Sequence, residues 1–136
     1  MRFKLLGTLS VVVALGVVAF GAAVSHAAPS LQQGVVYLQW PTQINGHIAQ
    51  GLVLIVHDEA KMDAGAPCTT IYQYDQGKGR GQEIATFACV PVQRKAPGKL
   101  TVTCARASTI GSVPINILTE YQFAGDTEAH GVPSGR

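Results

Sequence analysis

The chain has 136 residues, 47% of them hydrophobic and 13% charged, with a formal net charge of +2. That surplus is Arg2 and Lys4; the eight basic residues beyond them face eight acidic ones. A neutral body of this kind has no field with which to hold nucleic acid or an anionic membrane, so nucleic acid is excluded as a partner.

The first segment reads as an address. Arg2 and Lys4 precede an apolar run over 5–24, and Ser25-His26-Ala27 puts small residues where a signal peptidase reads them. A signal peptide over 1–27 is expected, with Ala28 the first residue of the exported protein. Membrane contact is then expected only through that peptide before cleavage, and the location is periplasmic or extracellular. What remains, about 110 residues, is the usual size of one domain with a modest core.

Alternating segments rich in Val, Ile, Thr, Tyr and Phe follow, separated by Gly, Pro and Asn. They predict strands over 35–40, 52–57, 69–74, 83–90, 99–106 and 114–123. Asn45-Gly46 marks a hairpin between the first two. Leu52 to Val56 is apolar at every position, which predicts a central strand covered on both faces. Asp58 is an N-cap for a two-turn helix over 59–64, closed by Gly65 and Pro67. The fold class is all-β: a small antiparallel sandwich or partly open barrel of about six strands with one short helix. That domain covers 28–123, and the Gly-rich, polar segment 124–136 reads as an extended tail. The aromatics Tyr37, Trp40, Tyr72, Tyr74 and Tyr121 alternate along strands and are expected in the core and in cross-strand pairs.

Three cysteines in an exported chain imply one disulfide and one free thiol. If a hairpin turns through 75–82, with Asp75 facing Gln82, Cys68 stands opposite Cys89. A second hairpin around 94–98 sets Cys89 opposite Cys104. Cys68–Cys89 is the favoured bridge, with Cys104 a buried free thiol among Leu100 and Val102; Cys89–Cys104 is the alternative. A redox or metal role for these cysteines lacks the support of a C-x-x-C pair.

Three groups invite a functional reading. His57, Met62 and His130, with Cys68 near in sequence, supply the imidazole, thioether and sulfur donors that copper prefers, although their spacing matches no metal motif. Asp126, Glu128 and His130 alternate on one side of an extended segment, as a weak divalent-cation site requires, but on a tail that must first be ordered. Lys78 and Arg80, in Gly77-Lys78-Gly79-Arg80-Gly81, resemble a phosphate cradle. A strand rather than a helix follows, leaving only a mobile loop for contact with an anionic partner. No G-x-S-x-G elbow or paired catalytic carboxylates occur, so no catalytic residue is assigned.

Residues 56–70 (VHDEAKMDAGAPCTT) and 120–133 (EYQFAGDTEAHGVP) are similar to small exported bacterial proteins of no known function. The similarity implies a bacterial, non-cytoplasmic setting and no particular activity. The expectation is an exported, non-catalytic binding or interaction module, without a cofactor, for a protein or small-molecule partner. The alternative is a small protein that binds copper or another divalent ion through His57 and His130. A small secreted enzyme ranks third.

Overall fold

A computed structural model describes residues 30–135. The proposed signal peptide, 1–27, lies outside the described residues. The described chain is mostly strand, 65%, and its one sheet curls into an open half-barrel.

β1 (Leu31–Ile44) and β2 (His47–Asp58) form the long hairpin foreseen at Asn45-Gly46. Both turn residues have positive φ, +46° and +87°, which a two-residue turn matching the strand twist requires. Asp58 caps α1 (Glu59–Asp63) by accepting from the Lys61 N–H, as expected of an N-cap. β3 (Thr69–Asp75) and β4 (Gly79–Phe87) make the next hairpin, followed by β5 (Val90–Gln93), β6 (Thr101–Ile110), β7 (Val113–Gln122) and β8 (Glu128–Gly131). The order across the sheet is β4-β3-β2-β1-β7-β8-β5, with β6 on the other edge of β7. β1 pairs with β7 in parallel through Thr42 and Gln43; the other pairings are antiparallel.

The pleat selects the core. On β2 the odd positions Val53, Ile55 and His57 point into the concavity, where Ile71, Phe87, Leu118, Tyr121 and Phe123 meet them. Leu54 is buried as well, but Leu52 and Val56 are only half covered, so β2 is central in its pairing without being packed on both faces.

Several expectations need correction. The hairpin turn is shorter than 75–82. Asp75 faces Gly79, and the Asp75 carboxylate accepts from the N–H groups of Gly77 and Lys78. Two register shifts then carry the pairing to Thr69 opposite Phe87, one residue out of the register from which the bridge was argued. The second hairpin does not form: β5 pairs with β8, and β6 pairs with β7. Cys104 therefore sits on edge strand β6, free but exposed rather than buried. Within the segment expected as a tail, β8 is stitched between β5 and β7, and Ala129 and His130 are fully buried. Tyr37 and Trp40 are exposed, 65% and 47%, so the outer face of β1 carries aromatics that the core does not use.

Candidate metal centre

At one end of the half-barrel the fold gathers residues far apart in sequence. His57 is the penultimate residue of β2 and pairs with Thr69 of β3. The chain leaves through α1 and returns at Cys68, whose carbonyl accepts from the Asp58 N–H at 2.8 Å. That closure holds Met62 against the core. Cys89 lies between β4 and β5. On β7, Tyr121 pairs with His130 of β8.

Cys68 and Cys89 are disulfide-bonded, with Cα atoms 6.3 Å apart. The Cys89 sulfur is also the hub of the cluster. His57 Nδ1 lies 3.8 Å from it, His130 Nδ1 3.7 Å and Met62 Sδ 3.8 Å. One ligand-capable atom from each of His57, Cys89 and His130 fits within a 4.8 Å span. The two imidazole rings are tilted by 31° to each other with centroids 4.0 Å apart. Both histidines are buried, at 0% and 1% exposure.

The surroundings fix one ring. Glu59 Oε2 sits 2.9 Å from His57 Nε2. A carboxylate accepts, so Nε2 carries the hydrogen and the Nδ1 lone pair is turned toward Cys89 and the Tyr121 hydroxyl, 3.3 Å away. Burial pushes the Tyr121 phenol well above its usual range, so it stays protonated and also bonds Thr69. His130 is short of partners. Its Nε2 is buried with none, and its Nδ1 has the Cys89 sulfur and a carboxylate oxygen of Glu128 at 3.9 Å. Burial, reinforced by His57, lowers its pKa to about 4, so the ring is neutral at physiological pH. Burial and the nearby Glu59 and Asp126 charges raise the Glu128 carboxyl, which places several acidic groups around the two imidazoles. The Glu59 and Glu128 carboxylates beside the two imidazoles suit a cation.

His57, Met62 and His130, singled out by residue type alone, are thus brought together. Cys89, foreseen only as a bridge partner, joins them; the Cys68 sulfur, 3.9 Å from the Thr69 hydroxyl, is not among the grouped ligand atoms. Tyr121, Glu59 and Thr69 went unforeseen in this role. His57 is signalled only by its place in the inward series Val53, Ile55, His57. Asp126 turns aside to bond Gln32 and the Glu128 N–H.

Lys78 and Arg80 stand at the far end of β3, at the opposite end of that strand from Thr69. The Arg80 guanidinium lies over the Tyr72 ring, 4.8 Å from its centroid, on a tight hairpin. Two shallow grooves, of about 420 and 470 Å³, open along β1 to β4 and share no residue with the cluster. The donors sit inside the packed end of the barrel, where an ion needs no groove.

Comparison with protein-family models, with curated proteins and with solved structures finds no match to this chain.

Proposed function

We propose that the chain is an exported, non-catalytic binding domain whose ligand is a soft transition-metal ion, copper(I) above all, held by His57, His130 and Met62. The observation that carries this reading is the convergence of two buried imidazole Nδ1 atoms and a thioether on one sulfur, all within 3.8 Å of it. Imidazole nitrogen and thioether donors favour copper(I) over hard cations such as magnesium or calcium. Glu59, on the far nitrogen of His57, plays the part that a carboxylate commonly plays behind a metal-bound histidine. The disulfide is compatible with an oxidising compartment outside the cytoplasm, which supports the export reading.

The test is a copper(I) titration against a chromophoric chelator, with His57→Ala, His130→Ala, Met62→Leu and the control His47→Ala. One equivalent should bind, and each imidazole loss should weaken it by at least tenfold while His47→Ala changes nothing. Equal affinities for parent and both histidine variants would refute the proposal.

A further inference from the structure

The Cys89 sulfur takes part in two arrangements that exclude one another. As a bridge sulfur it is bonded to Cys68 and has no thiolate charge to offer an ion. Its neighbours are nonetheless placed as co-ligands. Around a tetrahedral first-row ion, with metal–nitrogen bonds near 2.05 Å and metal–sulfur bonds near 2.3 Å, sulfur and nitrogen ligands stand about 3.6 Å apart and two sulfurs about 3.8 Å apart. The observed separations from Cys89 Sγ are 3.8 and 3.7 Å to the nitrogens and 3.8 Å to Met62 Sδ. These three separations match the edges such a site would have at its sulfur, and the ligand atoms of His57, Cys89 and His130 lie within 4.8 Å of one another.

Cys68 is differently provided for. Its sulfur accepts from the Cys89 N–H at 3.1 Å and lies 3.9 Å from the Thr69 hydroxyl. The Cys89 sulfur instead faces His57, His130 and Met62. We propose, resting on the metal-site reading above, that the Cys68–Cys89 couple is a redox gate on that site. The disulfide form offers His57, His130 and Met62; the dithiol form adds the Cys89 thiolate and holds copper more tightly. Two imidazoles, one thiolate and a thioether are also the ligand types of copper electron-transfer centres.

The chemistry balances with a dithiol reductant. One of its thiolates attacks a bridge sulfur, its second resolves the mixed disulfide, and the donor leaves as a disulfide. Two electrons and two protons pass to Cys68 and Cys89, which become thiols. Copper(I) then takes the place of the Cys89 thiol proton, which goes to solvent. Exchange with a disulfide oxidant restores the bridge: two electrons pass to the oxidant, which leaves as two thiols carrying the Cys68 proton and one from solvent, and the ion returns to the weaker site.

The test uses the exported chain in a Cys104→Ala background, which removes the exposed third thiol. Copper(I) affinity is measured with the bridge intact and after anaerobic phosphine reduction, and circular dichroism follows the fold. Reduction should tighten binding at least tenfold. Cys68→Ala, which leaves Cys89 as a permanent thiol, should bind as tightly without reductant. Cys89→Ala should stay at the disulfide-form affinity with or without it. Both single-thiol variants lack the bridge, so a general loss of stability moves them together and cannot imitate this split. Cobalt(II) loading should give thiolate-to-metal absorption only in the forms that have a free Cys89. Equal affinity in the disulfide and dithiol forms overturns the gate and leaves the metal site standing, as does equal behaviour of the two variants. Loss of the fold on reduction in the presence of copper also overturns it. Indifference of both forms to His130→Ala sinks the metal site itself.

Discussion

The disulfide closes a loop between residues 21 apart in sequence. In the chain-entropy picture, a loop of that size restricts the unfolded ensemble by about 3 kcal/mol. A domain of this size has about 5–15 kcal/mol in all, so the bridge contributes a large share without being the only support. The perturbation that isolates it is the double variant Cys68→Ala/Cys89→Ala without added metal, in which neither sulfur is left to find a new partner. Urea unfolding followed by circular dichroism should show about 3 kcal/mol lost, plus up to about 1 kcal/mol for the small cavities left by two buried sulfurs. In a thermal melt that is a fall of roughly 12–32 °C, at about 4–8 °C per kcal/mol. Cys104→Ala, at an exposed edge position, should stay within about 0.5 kcal/mol of the parent. A double variant within about 1 kcal/mol of the parent would refute the reasoning, and so would a Cys104→Ala variant as costly as the double.

Acid should destabilise the metal-free protein through His130. Its folded pKa, about 4, lies below the ordinary 6.5, so the unfolded chain takes up the proton first and stability falls as pH drops through that window, by on the order of 3 kcal/mol. Urea midpoints at about pH 7 and about pH 4.5 for the parent and His130→Phe check this, since the variant should lose less between the two; equal losses would contradict it. Glu59→Ala removes the acceptor on His57 Nε2 and should weaken copper(I) binding about 10–100-fold in the chelator assay, with little change in unfolding. Tyr121→Phe deletes a buried hydroxyl that bonds Thr69 and lies 3.3 Å from His57. It should cost about 1–2 kcal/mol by urea unfolding while leaving the copper stoichiometry unchanged.

Much of the fold was legible because its signals are local. Alternation on β2 and β7, the Asn45-Gly46 turn and the Asp58 cap each act within a few residues, and each element stands within a few residues of its expected place. What failed was long-range. β8 is four residues long and its sequence, Glu-Ala-His-Gly, has no strand character of its own; its place comes from backbone pairing with β5 and β7. Likewise no periodicity could show that 90–93 would leave the β6 hairpin and join β8. The bridge shows how a correct pairing can rest on a wrong register: two shifts within β3–β4 moved the facing residues, yet Cys68 and Cys89 lie just beyond the last pair and still meet. The candidate site shares this character. Its donors come from β2, α1, the β4–β5 link and β8, so residue type hinted at the set and only the sheet closure assembles it.

The most direct test of the central claim is X-ray absorption at the copper edge of the loaded protein with its disulfide intact. Nitrogen scattering with the imidazole pattern of two histidines, together with one sulfur, is the expected first shell, and the imidazole pattern should halve in His130→Ala. A first shell of oxygen and backbone nitrogen alone, unchanged by His130→Ala, would contradict the account.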